Sequence, residues 1–389
     1  MNLFMKFVMA TASIMTITLA SCTHDGCTDS AAVNYDDTAA DDDGSCEYDV
    51  IAPETYVFTD DEGNNTVSYS GQHQRLNMLR EMVIYMKSAN EIGVSIDAAT
   101  LHSMYANDAY SWDDEEGLGM TGSSKQLKNK TAGDDPAITA IFEAWMTEIA
   151  EASGVEANVI VSTTNPNKQY LQSVDGQEWT QLIEKGLMGA CFYYNLSSVY
   201  LGEDKMNVDN TVAVDSITGK FYTRMEHHWD EAYGYFTVAT DYPVTGTDRF
   251  WGKYANSREE ILGSATKISE AFRLGRQAIA DNNMEVRDAQ IDIIREEMEL
   301  AAGGTAIHYL NDAVTDFGDD ALRNHCLSEA KAFIMALPYG ANTLVDQTSA
   351  DEILSIIGDN FYNVTTASLI DARDQLASIL GLTEYVEQL

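Results

Sequence analysis

The sequence predicts an all-α protein, one or more bundles of roughly ten helices, preceded by a small disulfide-stapled module and carrying one surface hairpin. Three observations predict it. From about residue 70, apolar residues recur in steps of three and four, as one face of a 3.6-residue helix requires. Strand-like alternation is scarce, and no fixed short period marks a solenoid. With 389 residues, 45% hydrophobic content and five prolines, the chain can bury a full core.

Residues 1–21 read as a lipoprotein signal peptide. Lys6 is the one charged side chain beside an apolar run from Phe7 to Leu19, which is shorter than the ~20 residues a membrane span needs and closes on small residues. Leu19-Ala20-Ser21-Cys22 fits a lipobox, so Cys22 is the expected lipid acceptor, and several acyl chains on one residue anchor stably. Thr23 stands where an inner-membrane retention signal has Asp. The expected location is therefore the outer membrane of a Gram-negative cell, on its periplasmic face or at the surface. No second membrane-spanning candidate follows.

Residues 22–50 form an Asp-rich module or spacer. Cys27 and Cys46 bracket a segment too small to hold a core, and in an exported chain such a pair reads as a disulfide. Closing a loop of this length stabilises by ~3 kcal/mol in the chain-entropy model. The segment resembles a short Cys- and Asp-rich module of secreted Bacteroidota proteins. A polar spacer lifting the main domain off the membrane is the leading reading, and the alternative is Ca²⁺, for which Asp41 and Asp43 offer oxygen ligands of the kind it takes. Cys191 and Cys326, in apolar helical contexts, are expected to be buried thiols.

Residues 51–389 are expected to form the helical domain. Helices are predicted over 70–91, 97–107, 177–200, 227–237, 320–336, 349–358 and 365–387. Asp135 before Pro136 supplies an N-cap and an N1 proline for the helix containing Ile138, Ile141, Phe142, Trp145 and Ile149. Ile261 to Ile279 and Val286 to Phe317 carry the stripes of two long helices. Alternation is confined to 55–58 and to 210–223, where a turn-rich centre predicts the hairpin.

A formal charge of −39, from 62 acidic against 23 basic residues, speaks against nucleic acid and anionic lipid as partners. Cations are its natural complement, and a solvated acidic surface is the plainer reading. There is no His-Glu-x-x-His, Gly-x-Ser-x-Gly, phosphate loop, Rossmann fingerprint or Cys-x-x-Cys, so the common hydrolase, nucleotide and zinc signatures are absent. The densest polar constellation is Glu226-His227-His228-Trp229-Asp230-Glu231 at a helix start. On a helix His227 and His228 each lie one turn from Glu231, so imidazole and carboxylate can meet one cation. A capped first turn answering the helix dipole is the competing reading. His308 is the second candidate, following Gly303-Gly304, which suit a kink or a close backbone approach. It is either a ligand approaching His228 or a buried, hydrogen-bonded histidine.

Ser70-Gly71-Gln72, Arg75 to Leu79, Ser124 to Lys128, Glu184 to Ala190, His228 to Phe236, Gly275-Arg276 and Ala306 to Asn311 together resemble the Bacteroidota lipoprotein family of the domain of unknown function 4856. That family is distantly similar to the imelysin-like proteins, helical two-bundle envelope proteins associated with iron acquisition and once described as metallopeptidases. The resemblance implies an imelysin-like bundle and a Gly-x-His-x-x-Glu site. His228-x-x-Glu231 matches its second part, whereas Glu226 stands where the glycine should be and Asn311 where His308 would need its acid. Iron or another divalent cation is the implied cofactor. Three functions follow from this reading: a non-catalytic cation-binding or iron-linked envelope lipoprotein, a ligand-capturing partner of an outer-membrane transporter such as a glycan transporter, and a metallopeptidase. Exposed tryptophans among Trp112, Trp145, Trp179, Trp229 and Trp251 would mark a glycan platform, although Trp145 and Trp179 fall on apolar helix faces.

Overall fold

A computed structural model describes residues 24–30, 32–46, 50–244 and 249–389. Cys22 and the signal peptide expected before it lie outside the described residues. The chain divides into two units, the first ending at Asp49 and the second beginning at Val50.

In the first unit Cys27 and Cys46 form the expected disulfide. Strands β1 (Asp25–Gly26) and β2 (Asp41–Asp42) pair in parallel. The aspartates are largely taken up by their own turns: Asp36 accepts from Thr38 N, Asp42 from Gly44 N and Asp43 from Ser45 N, each at 2.9 Å. Among the described residues, Asp41 and Asp43 included, no group of three or more His, Cys, Asp or Glu side chains could hold a metal ion.

The second unit is mostly helical, in the order α1 (Ser70–Ser88), α2 (Ala98–Ala106), α3 (Pro136–Ala152), β3 (Val159–Val161), β4 (Gln169–Leu171), α4 (Trp179–Leu187), a π-helix (Met188–Tyr200), α5 (Glu203–Met206), β5 (Ala213–Asp215), β6 (Lys220–Thr223), α6 (Arg224–Phe236), α7 (Phe250–Ser257), α8 (Glu259–Leu262), α9 (Ser264–Ala280), α10 (Met284–Thr315), α11 (Asp320–Ala336), α12 (Gln347–Ile357) and α13 (Thr366–Ile379). Side chains that answer free backbone N–H groups set several starts. Asp97 accepts from Thr100 N at 2.8 Å, and Asp135 accepts from Ala137 N at 2.8 Å ahead of Pro136. A reciprocal capping box between Thr223 and Glu226 opens α6 three residues before the expected start at 227.

The hairpin expected in 210–223 is β5 and β6, paired antiparallel. Residues 55–58 are not a strand. The alternation is real, with Tyr56 and Phe58 buried and Val57 exposed, but no ladder partner runs alongside. Two departures concern helices. Gly263 takes φ +69° and divides the stripe of 261–279 between α8 and α9. The helix expected over 177–200 changes from α to π geometry at Met188. The hairpin β3 and β4 was hidden by its length, three residues a strand. Gly303 and Gly304 do not interrupt α10; they serve close approach, with Leu380 packed where a Gly303 Cβ would stand and Leu262 Cδ1 only 3.1 Å from a Gly304 Cβ.

One apolar core runs through the helical unit, with α10 packed against α9, α11 and α13, and α6 against α1, α9 and the π-helix. Cys191 and Cys326 are buried thiols within it. Trp112, Trp179, Trp229 and Trp251 are buried and Trp145 is half-buried, so the tryptophans form no exposed platform. Among the described residues no helix is long and apolar enough to cross a membrane.

Candidate functional site

The site is set by how α6 divides its faces. Glu226 and Asp230, one turn apart, point inward onto Arg276: Nη1 donates to Glu226 at 2.7 Å and Nε to Asp230 at 3.0 Å. Arg276 Nη2 donates to Thr66 O and Oγ1 at 3.1 Å, while Asp230 also accepts from Tyr56 Oη at 2.9 Å and Ser68 N at 3.0 Å. With that face committed to the interior, His227, His228 and Glu231 fall on the other side.

There the expected histidine–carboxylate group comes together. Glu231 Oε2 lies 3.4 Å from His228 Nδ1 and 3.8 Å from His227 Nε2. His227 Nδ1 is fixed by Ser68 O at 2.9 Å, and its ring stacks on Tyr222 with centroids 4.7 Å apart. Glu231 Oε1 accepts from Gln72 Nε2 at 3.1 Å, and Tyr200, the last residue of the π-helix, lies close enough that burial and this carboxylate together push its hydroxyl up. Lys130 Nζ donates to Tyr200 Oη at 3.3 Å.

Gly234 explains how α1 comes so near. A Cβ there would stand 2.6 Å from Tyr69 Cβ and 2.9 Å from Gln72 Cβ, so only glycine lets the two helices touch at this level. One turn along α1, Arg75 is 5% exposed. Its Nε donates to Gln126 O at 2.8 Å and its Nη1 to Gly71 O at 3.2 Å. A Cβ on Gly71 would meet Lys125 Cε at 3.1 Å and Arg75 Nη1 at 3.5 Å, so Lys125 lies beside the guanidinium. Ion pairs occupy many basic residues of this acidic chain, yet Arg75, Lys125 and Lys130 have no carboxylate within 4.0 Å among the described residues.

Electrostatics follow from this crowd. Burial pulls His227 below its ordinary value, with His228 and Lys125 adding to it against Glu231. Burial alone would raise Glu231; the His228 hydrogen bond, the His227 charge and the Gln72 amide together outweigh it and leave the carboxyl below its usual value. Burial and the charge of Arg75 lower Lys130.

His308 belongs to a different neighbourhood. Its Nδ1 meets Leu389 O at 2.6 Å and its Nε2 lies 3.4 Å from Asp312, and among the described residues it shares no hydrogen-bond, ion-pair or ring partner with His228 or Glu231. The turn of α6 thus brings two imidazoles and one carboxylate together, but among the described residues no three His, Cys, Asp or Glu side chains are grouped so that they could hold a metal ion. Gln72, Arg75, Lys125, Lys130 and Tyr200 escaped sequence reasoning because their partners are remote, 159 positions separating Gln72 from Glu231. A signal was present: Gln72, Arg75 and Lys125 lie in segments that carry the family resemblance, and Lys125, Lys128 and Lys130 concentrate basic charge in an acidic chain.

A second polar cluster surrounds Lys185, whose Nζ lies 2.7 Å from Gln181 Oε1, 3.0 Å from Glu184 and 3.4 Å from Glu329. Glu184 also lines a cleft of about 210 Å³ walled by Arg80, Val83, Lys87, Lys253 and Tyr254. Arg80 bonds to Glu116 at 3.4 Å and Lys87 lies 3.7 Å from Glu184, so most of the charge at this cleft is answered within the protein.

No curated protein and no solved structure matches the chain. Residues 53–378 match the family described as a domain of unknown function, DUF4856. That match takes in the whole of the α6 site together with Arg75, Lys125, Lys130 and Tyr200, and the chain belongs to the DUF4856 family.

Proposed function

We propose that this protein is a lipid-anchored lipoprotein of the outer membrane that captures a ligand without transforming it, and that it works beside an outer-membrane transporter. The capture site is the polar cluster where α1, α6, the end of the π-helix and the Lys125 to Lys130 segment meet. One observation carries this reading: Gln72, Arg75, Lys130, Tyr200, His228 and Glu231 come from four separate segments and converge on one place, only partly sealed from solvent. A core needs no such convergence of costly polar groups. The lipobox at Cys22 supports the anchor, and the imelysin resemblance supports a link to iron. Native mass spectrometry of the protein released gently from its membrane tests the reading. A small molecule retained by the wild type and lost in Lys130→Gln is expected; a wild type that retains nothing, and whose stability no added solute changes, counts against capture.

A bare cation is the second reading, favoured by the approach of both imidazoles to Glu231 Oε2. Zinc or ferrous ion would then bind by calorimetry and be lost as acid protonates the imidazoles, since a histidine ligand must be neutral. The positive charges of Arg75, Lys125 and Lys130 oppose this reading. A metallopeptidase is weaker still, because a catalytic metal needs three protein ligands, an open position and a base.

A further inference from the structure

We infer that the ligand taken at the α6 site carries an anionic group, a carboxylate or a phosphate, and that Arg75, Lys125 and Lys130 receive it. This rests on the capture reading and names its ligand class.

The first observation is Arg75. Burying a guanidinium is costly unless a counter-charge or a full set of acceptors answers it. Arg75 is 5% exposed, yet its protein acceptors are two backbone carbonyls, on Nε and Nη1. Nη2 donates to nothing among the described residues and is not one of the sealed, unpaired atoms of the interior, so it retains access to solvent. A free nitrogen on an otherwise fixed guanidinium is a prepared donor for an anion, and the rigid fork suits planar carboxylate or phosphate oxygens.

The second observation is independent of it. Lys125 lies against the same side of Gly71 as Arg75 Nη1, and Lys130 stands at Tyr200, both without a carboxylate within 4.0 Å among the described residues. Among the described residues their acidic neighbour in the cluster is Glu231, which is already engaged by Gln72, His227 and His228. On the same formal count that gives the chain −39, three cations and one carboxylate leave a local charge of +2 (3 − 1). Such a site opposes a metal ion and is completed by an anion. Glu231 then holds Gln72 and the imidazoles in place instead of binding the cargo itself.

Thermal unfolding of the detergent-solubilised lipoprotein tests this, with citrate, inorganic phosphate, zinc chloride and maltose compared at matched ionic strength. Citrate or phosphate is expected to raise the midpoint over chloride, the larger rise identifying carboxylate or phosphate as the preferred group. The Lys125→Gln/Lys130→Gln double variant, altered at half-exposed positions and checked for folding by circular dichroism, is expected to lose about ten-fold or more in affinity for that anion. Anion stabilisation that persists undiminished in the double variant overturns the proposal. So does stabilisation by zinc or maltose alone, which leaves capture standing with a different ligand class. No effect from any of the four overturns both readings.

Discussion

Arg276 and Arg75 lie on opposite sides of α6 and are buried to nearly the same degree, 0% and 5% exposed, but they are answered very differently. Arg276 has two carboxylates and a threonine, all at 3.1 Å or less. Arg75 has two backbone carbonyls and, among the described residues, no acid within 4.0 Å. A fully answered buried charge fixes the packing of α6 on α9 and leaves nothing for a ligand to add. A buried charge left short is a cost the fold carries, and such costs concentrate where a partner from outside completes the set.

The largest expected effect is on the inner face. Arg276→Met strands Glu226 and Asp230 in the interior and should cost ~3–5 kcal/mol in denaturant unfolding. Arg75→Met strands no carboxylate, so its cost should be clearly smaller, on the order of 1–2 kcal/mol for two lost bonds to backbone. Equal losses at the two arginines would break the comparison. Gly234→Ala comes next: its Cβ must push Tyr69 and Gln72 away, costing ~1–3 kcal/mol and loosening ligand binding together with stability.

A smaller effect concerns pH. Folded His227 sits below its ordinary value, chiefly through burial, so it resists a proton that the unfolded chain accepts. Its contribution is complete above ~6.5 and is lost as pH falls through the lowered folded value. His227→Gln should flatten that part of the stability curve; a variant that keeps the same slope assigns the titration elsewhere. The smallest effect is kinetic. The −39 charge repels an anion at long range, so its association should quicken as salt screens the molecule.

The inner and outer faces also differ in how far the sequence reveals them. Apolar steps of three and four mark most helices because the pattern is local, and the one-turn spacing of His227, His228 and Glu231 is local too. Gly263 escapes notice because one residue at φ +69° leaves the apolar stripe intact on both sides. Gln72 and Arg75 are carried toward Glu231 on α1 by a helix contact made possible at Gly234, and Lys130 and Tyr200 come from two further segments, which no local pattern encodes. Net charge is the least local guide. Sixty-two acids make cations the natural complement of the whole chain, whereas the sign at a site depends on a few neighbours, here three bases without a carboxylate within 4.0 Å among the described residues.

Glu231→Gln reports that local sign most directly. The substitution keeps shape and one acceptor while removing the only negative charge of the cluster. Calorimetric titration of citrate and of zinc into wild type and Glu231→Gln is the measurement. Citrate should bind the wild type and bind Glu231→Gln more tightly, with no zinc heat in either. Zinc heat in the wild type that vanishes in Glu231→Gln, with no citrate heat, would contradict an anion-receiving site.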